Sequence, residues 1–323
     1  MADHRTLTLA HLSDVHLPGI AGLSPEHWSA KRVLGFLNWQ RGRYRMHTAA
    51  AIEAIARDVI AKHPDHIAVT GDIANLGLPA ELAAAHQWLA TLGTPEQVSV
   101  VPGNHDVYVP MRRDQSIARW AAYMTSSGLP ERAPAQGQPT VFPYVRRLGG
   151  VALVGLNSAI PTPVFVAAGR LGGAQLAATA DALHQLGSAG LVRVVLIHHP
   201  PLPGQAPHRR ALADAADLAA VLRSAGAELV LHGHNHRNSL VWAAGPSGPI
   251  PVVGIASASA SLDSHGAGHL ARYNLLRIGG RAGAARIEVC GRGLGAPVPG
   301  GRVLDLESYV IADGCRLDAT ASD

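Results

Sequence analysis

Five apolar, strand-like segments of this chain each run directly into a short block of aspartate, asparagine or histidine residues. In chain order the blocks are Asp14-Val15-His16, Gly71-Asp72, Gly103-Asn104-His105-Asp106, His198-His199 and His232-Gly233-His234-Asn235-His236. Ligand sites in open α/β sheets gather just beyond the carboxyl ends of the strands. We therefore expect all five blocks to meet at one edge of the folded chain.

The segments before these blocks alternate with helical patterns, which is typical of an α/β fold. Strands are predicted at Leu7–Leu12, Ile67–Thr70, Val98–Val101, Val151–Leu156, Val192–Ile197 and Glu228–Leu231. Helices are predicted at Met46–Lys62, from Pro79 onward, at Ile117–Met124, Gly173–Leu186 and Arg209–Ser224. Later strands, with no helices between them, indicate a second sheet. They are predicted at Val252–Ala256, Tyr273–Ile278 and Arg286–Val289.

The predicted fold is an αββα sandwich of two mixed β-sheets flanked by helices, with a dinuclear metal site at the strand C-terminal ends. Hydrophobic residues make up 47% of the chain and charged residues 15%, which suits a chain that buries a core. We expect a single domain over residues 1–312, with a cap-like insertion at about 19–45. Residues 130–140 and 244–251 are predicted surface loops, and 313–323 a flexible tail.

The blocks carry the side chains that bind divalent metal ions. A glycine precedes Asp72, Asn104 and His234, and glycine allows the close backbone approach of a crowded metal centre. Aspartate and histidine together favour Mn, Fe, Zn or Co. A carboxylate on Asp72 can bridge two such ions. Each block alone is common in surface or core segments, but the ordered set at strand ends predicts two divalent metal ions.

These blocks resemble the calcineurin-like metallophosphoesterase family, with its D-x-H, G-D, G-N-H-D, H and G-H-x-H motifs, from about Asp14 to His236. The HHPP and GHNH context is similar to the class III cyclic-nucleotide phosphodiesterase branch. The resemblance implies three groups of ligands. They are Asp14, His16 and His236 for the first metal, Asn104, His198 and His234 for the second, and Asp72 as the bridge. His198 is preferred over His199 because the family's ligand lies two residues before the proline.

The resemblance also places His105 beside the substrate rather than on a metal. Two metal ions can clamp the oxygens of an in-line displacement and generate a bridging hydroxide near neutral pH. The leaving alkoxide then needs a proton, and His105 is the natural donor. Asp106 either orients that imidazole or caps the segment that follows. His105 and Asp106 are therefore the catalytic candidates.

These residues predict a metal-dependent phosphoester hydrolase, with a phosphodiesterase on small organic phosphodiesters, cyclic nucleotides included, as the first hypothesis. The enzymatic alternatives are a phosphomonoesterase and a pyrophosphohydrolase of a lipid-linked nucleotide. The non-enzymatic alternative is a metal-binding scaffold on the same fold. Loss of a ligand or of the His105 equivalent would indicate the scaffold, and all of these residues are present.

Two polar segments leave several interpretations open. The insertion carries Lys31, Arg32, Arg41, Arg43 and Arg45 among Trp, Phe, Leu and Tyr residues. It can be a solvated basic loop, a cap that binds an anionic substrate, or an amphipathic element at 24–45 that makes peripheral membrane contact. A second segment can line the pocket floor or form a flexible loop. It contains Ser257, Ser259, Ser261, His265 and His269.

Localisation and partners are predicted from composition. Cys290 and Cys315 lie far apart and outside any C-x-x-C pair, which indicates a reduced, cytoplasmic protein. The apolar N-terminal run is too short for a secretion signal. The net charge is +4, but the basic residues form one short segment without a recognised binding module, which argues against a nucleic-acid partner. The chain after about Ser239 carries no metal block and is available for homo-oligomer formation.

Overall fold

The computed structural model describes residues 6–20, 22–112, 115–127, 142–261, 270–297 and 301–318. Its strands are β1 (Leu7–Leu12), β2 (His66–Val69), β3 (Val98–Val100), β4 (Tyr144–Leu148), β5 (Val151–Gly155), β6 (Val192–Leu196), β7 (Leu229–His232), β8 (Ser239–Ala243), β9 (Ile250–Gly254), β10 (Arg272–Arg281), β11 (Ala284–Leu294), β12 (Val303–Ala312) and β13 (Cys315–Asp318). Its α-helices are α1 (Ala30–Asn38), α2 (Tyr44–Met46), α3 (Ala49–Ala61), α4 (Pro79–Leu92), α5 (Gly173–Ser188) and α6 (Ala215–Ala225).

The strands form two mixed sheets. One has the order β13-β12-β11-β10-β1-β2-β3, and the other β4-β5-β6-β7-β9-β8. In the first sheet β1 pairs parallel with β2 and antiparallel with β10. In the second, β5, β6, β7 and β9 are parallel, with antiparallel strands at both edges. The predicted αββα sandwich is confirmed.

The apolar core holds the two sheets against each other and against the helices. The larger cluster joins Leu9 of β1, Ile55 of α3 and Val194 of β6, all fully buried. A second cluster packs Leu183 of α5 and Leu222 of α6 against the outer face of the second sheet. Full burial of each such side chain contributes about 1.5–3 kcal/mol. This packing fixes the edge at which the strand ends meet.

The predicted helix Arg209–Ser224 begins later than its pattern indicated. His208–Arg210 forms a 3-10 turn, and α6 starts only at Ala215. The reason is the Asp214 carboxylate, which accepts hydrogen bonds from the backbone N–H groups of Leu171 and Gly172. Asp214 is thereby held in a long-range loop contact directly before the helix.

The structure also contains strands without a sequence signal, at Tyr144–Leu148, Ser239–Ala243, Val303–Ala312 and Cys315–Asp318. The first, third and fourth of these strands carry exposed residues, so their apolar patterns are weak. Cys315–Asp318 lies within the predicted tail and pairs with β12; residues 319–323 lie outside the described residues. Most of the predicted loop 244–251 precedes β9, whereas 130–140 lies outside the described part of the chain.

The insertion at 19–45 is largely helical rather than a basic loop. Ser29 caps α1 by accepting a hydrogen bond from the Arg32 backbone N–H. The Arg32 guanidinium is buried and donates to the carbonyls of Leu76 and Gly77. This cation therefore fastens the insertion to the loop after β2 and is not presented to a ligand. No helix in the described ranges combines the length and apolarity needed to cross a membrane.

A buried histidine in the core makes stability depend on pH. His66 lies at the start of β2, with Nε2 2.8 Å from the Ser99 hydroxyl. Burial and the charge of Arg146 lower the pKa of His66 to about 3, from 6.5 when unfolded. The neutral ring therefore stabilises the fold fully above pH 6.5, and this contribution is lost as pH falls toward about 3.

We expect the free energy of unfolding of the metal-free protein to fall across this window, and His66→Gln to make the fall shallower. Urea unfolding at a series of pH values measures the slope. Exposed His184 provides the control, since His184→Gln should keep the wild-type slope. A His66→Gln slope as steep as that of the wild type would contradict the assignment.

Candidate metal centre

The two sheets deliver the seven predicted metal ligands to one place. Loops after β1, β2 and β3 carry Asp14, His16, Asp72 and Asn104, and loops after β6 and β7 carry His198, His234 and His236. Six of the seven residues are buried, and the His236 side chain is 28% exposed. The five sequence blocks thus meet at one edge, as the strand pattern predicted.

Interatomic distances divide these side chains into two groups. In the first, His236 Nε2 lies 3.1 Å from Asp14 Oδ1 and 3.3 Å from His16 Nε2. In the second, His198 Nε2 lies 3.2 Å from both Asn104 Oδ1 and His234 Nδ1. Asp72 Oδ2 is 3.3 Å from His198 Nε2 and 4.0 Å from His16 Nε2. Asp72 therefore lies between the groups, where a bridging carboxylate would be.

Backbone strain at the centre falls mainly on the predicted ligands themselves. Five of the seven adopt positive φ, a region that non-glycine residues rarely occupy. They are Asp14 (52°), His16 (39°), Asp72 (53°), His234 (68°) and His236 (52°). Such strain concentrates at functional sites, where surrounding contacts hold it in place.

Electrostatics in the metal-free centre favour charged carboxylates. Burial alone would raise the pKa of Asp14 and Asp72, but His236 lowers that of Asp14, and His198 with His105 lowers that of Asp72. Burial lowers the pKa of His198, yet Asp72 and its hydrogen bond raise it overall to about 9. A metal ion on His198 must therefore displace a proton, so metal binding is expected to weaken at low pH.

The donor set fits divalent metal ions. Within the described ranges, His234 Nε2 is buried without a hydrogen-bond partner. Ligand atoms of Asp72, His198 and His234 lie within 4.8 Å of one another, as do those of Asp14, His16 and Asp72. Imidazole nitrogens and carboxylate oxygens at such spacings are the ligands of Mn, Fe, Zn and Co.

The two catalytic candidates differ in their surroundings. His105 is partly exposed beside the ligands, with its ring stacked on Tyr108 and its Nδ1 bonded to the carbonyl of Asn75. Asp106 is buried, and its carboxylate accepts from the backbone N–H groups of Asp72, Ala74 and Gly103. These donors precede Asp106 in the chain, so the carboxylate joins the second and third ligand loops rather than capping the segment that follows it.

Three further histidines surround the predicted ligands. His199 is packed, with Nδ1 2.8 Å from the Ser158 hydroxyl and Nε2 3.1 Å from the Ala167 carbonyl. His232 is buried, with Nδ1 3.0 Å from the Gly233 carbonyl. Sequence reasoning missed His47, whose ring centroid lies 4.6 Å from that of His16. No strand precedes His47, so the strand-end pattern gave no signal for it.

A cavity of about 410 Å³ opens beside the centre, between the insertion and the chain at 164–167. Asn104 and His105 line its inner end, and Leu34, Leu37 and Phe165 form an apolar wall. Lys31 and Arg41 add positive charge. Lys31 Nζ donates to the Thr162 hydroxyl at 2.7 Å, and burial lowers the pKa of Lys31 to about 8. The cavity therefore suits an anionic molecule that carries an apolar group.

Two curated proteins show sequence similarity to the chain. A probable cyclic nucleotide phosphodiesterase from Synechococcus sp. is 26% identical over 201 residues, covering 62% of this chain and 60% of that protein. A glycerophosphodiester phosphodiesterase from Enterobacter lignolyticus is 32% identical over 100 residues, covering 31% and 30% respectively. Both alignments span less than two thirds of those relatives.

Solved structures and a family profile agree on the fold. A dimetal phosphatase from Danio rerio superposes with a TM-score of 0.62 at 14% identity, covering 95% of this chain and 98% of that one. Purple acid phosphatase from yellow lupin gives 0.55 at 13% identity, covering 99% and 58%. The profile of the calcineurin-like phosphoesterases matches residues 7–238, which include every predicted ligand. The chain therefore belongs to the calcineurin-like phosphoesterase family.

Proposed function

We propose that the chain is a phosphodiesterase of small organic phosphodiesters, with cyclic nucleotides as one candidate class. The observation that carries the proposal is the cavity beside Asn104 and His105. A phosphodiester has an organic group on each of two ester oxygens and needs space for both, whereas a phosphomonoester needs space for one. The names of both curated relatives also describe phosphodiesterases.

The residues of the centre have distinct proposed roles. Asp14, His16 and His236 would hold the first metal ion, Asn104, His198 and His234 the second, and Asp72 would bridge them. When bound, two divalent ions supply an activated water and neutralise phosphoryl charge. His105 lies outside the ligand set with a fixed ring orientation, so its proton can pass to the leaving oxygen.

A second candidate substrate is a lipid-linked nucleotide diphosphate. The observation in its favour is apolar exposure: Phe165 of the cavity wall is 76% exposed, and Trp28 of the insertion is 63% exposed. Leu34 and Leu37 of α1 are exposed as well. Such side chains can contact acyl chains, or the surface of the membrane that carries them.

The experiment is a comparison of three substrates on metal-stripped protein reloaded separately with Mn, Zn, Co or Fe(II). The substrates are an aryl phosphodiester, the matching monoester and an acylated nucleotide diphosphate. We expect metal-dependent turnover with the highest kcat/KM on the diester. Monoester preference would indicate a phosphatase, and preference for the acylated diphosphate would favour the second candidate. Stoichiometric metal without turnover on any of the three would indicate a scaffold.

Two variants serve as controls. Asn104→Ala removes a ligand of the second metal and should abolish diester turnover. Phe165→Ala removes a wall of the cavity without touching the centre, and should raise the KM of the diester about tenfold, which is the loss of about 1.4 kcal/mol of apolar contact. The monoester KM should change little. Equal KM changes on both substrates would contradict the role of the cavity.

A further inference from the structure

We propose that His47 is an additional ligand of the first metal ion, binding through Nε2 together with Asp14, His16 and His236. This inference rests on the metal centre of the proposed function. His47 is buried at the junction between the insertion and α3. One ring nitrogen each of His16, His47 and His236 lies within 4.8 Å of the other two.

Two serine hydroxyls lie against Nδ1 of His47. Ser259 Oγ is 2.7 Å and Ser257 Oγ 3.4 Å from this nitrogen. The Ser257 hydroxyl donates its proton to the carbonyl of Asp14, at 2.6 Å, so its oxygen is available to accept from Nδ1. With the ring proton on Nδ1 and shared with these serines, Nε2 of His47 is the unprotonated nitrogen that can bind a metal ion.

The same arrangement occurs at an already predicted ligand. His16 donates from Nδ1 to the carbonyl of Ala74, which directs its Nε2 to the centre. Metal-binding histidines commonly donate their second ring N–H to a carbonyl or carboxylate in this way. At His47 the corresponding partner of Nδ1 is the Ser259 hydroxyl, whose oxygen can accept in the same way.

The backbone around His47 is held from both sides. His47 forms a bridge with Ala260, and the Thr48 backbone N–H donates to the carbonyl of Ser259, at 3.2 Å. Ser257 also contacts the backbone of Asp14, so one segment positions both a predicted ligand and His47. Ser257 and Ser259, which the sequence places either on the pocket floor or in a flexible loop, are buried and hydrogen-bonded behind the centre; His265 and His269 lie outside the described residues.

The ring environment argues against an ordinary packed histidine. Its neighbours are two predicted ligand imidazoles, with ring centroids 4.6 Å away at His16 and 5.7 Å away at His236. Three imidazoles in contact repel one another if protonated, whereas a shared cation turns the same grouping into an attraction. His47 would then link the insertion directly to the first metal.

Proton NMR of the Co(II)-loaded full chain in water tests the proposal. Each imidazole bound to paramagnetic cobalt gives one strongly shifted, exchangeable ring N–H signal. We expect five in the wild type: His16, His198, His234 and His236, and additionally His47. His47→Gln should lose one signal and weaken cobalt binding about 10-fold or more, the lower end of the effect of altering a metal's surroundings. His184→Gln, on an exposed helix position, should keep all five.

Four signals in the wild type would overturn the proposal, and so would a His47→Gln spectrum identical to that of the wild type. The wild-type count decides the question even where the variant does not fold. The two failures can be told apart. If the proposed function is wrong but His47 is a ligand, the spectrum shows five signals and the protein does not turn over the diester. Absence of cobalt binding would overturn the metal centre and this inference together.

Discussion

Replacing His105 with alanine is expected to lower kcat on alkyl phosphodiesters by about 10²- to 10⁴-fold, the range for loss of a general acid. Turnover of a nitrophenyl diester should fall much less, because nitrophenolate leaves without a proton. The structure supports this role, since His105 is partly exposed beside six buried ligands and lines the cavity. The measurement is kcat across a series of leaving groups, and the variant should show the steeper dependence on leaving-group pKa.

His184→Ala, at an exposed position of α5, is the matched control and should keep the wild-type dependence. An equal loss of kcat on alkyl and nitrophenyl diesters would show that His105 does not protonate the leaving group. In that case its contacts with Asp72 and Tyr108 would point to positioning of the ligand loops or of the substrate.

Gly103→Ala is expected to lower both the free energy of unfolding and kcat, because the added methyl group has no space. A Cβ at Gly103 would overlap the Asp72 backbone nitrogen and its carboxylate. Asp72 cannot shift freely, because its Oδ1 accepts from the His105 N–H at 2.7 Å and its own N–H donates to Asp106 at 2.9 Å. We expect the free energy of unfolding to fall by about 3 kcal/mol. We expect kcat to fall about 10²-fold, as for a displacement of about 1 Å at a catalytic centre.

Urea unfolding in chelator and kcat on the metal-loaded protein measure the two effects separately. Gly173→Ala is the matched control, since a Cβ there meets no atom within 4 Å. That variant should keep wild-type activity. Wild-type kcat in Gly103→Ala would show that the bridging position of Asp72 tolerates displacement.

Much of the architecture could be predicted because parallel strands next to ligand blocks are continuous apolar runs. Val192–Ile197 was predicted as a strand and is observed at Val192–Leu196. Strands that carry exposed residues, such as β13 at the edge of the first sheet, could not be predicted in this way. All four residues of β13 are exposed, so its pairing with β12 leaves no apolar pattern in the sequence.

In the candidate site, too, residues with a local sequence pattern could be predicted, whereas residues defined by contacts distant in sequence could not. Asp14, Asp72 and His198 each follow a recognisable strand, and the structure brings them together. His47 has no such context, because its hydrogen-bond partner Ser259 is 212 residues away. Asp106 was ambiguous for a similar reason: its acceptor role depends on backbone N–H groups of a loop more than 30 residues earlier in the chain.

The predicted ligands come from both halves of the sandwich, four after strands of one sheet and three after strands of the other. Each of the two ligand groups contains residues from both sheets, so the spacing of ligand atoms within a group depends partly on the thickness of the core between the sheets. A substitution that thickens this layer, far from any predicted ligand, would therefore move the ligand atoms of one sheet away from those of the other. Side-chain volume at buried core positions such as Leu9 and Val194 thereby bears on the geometry of the predicted metal centre.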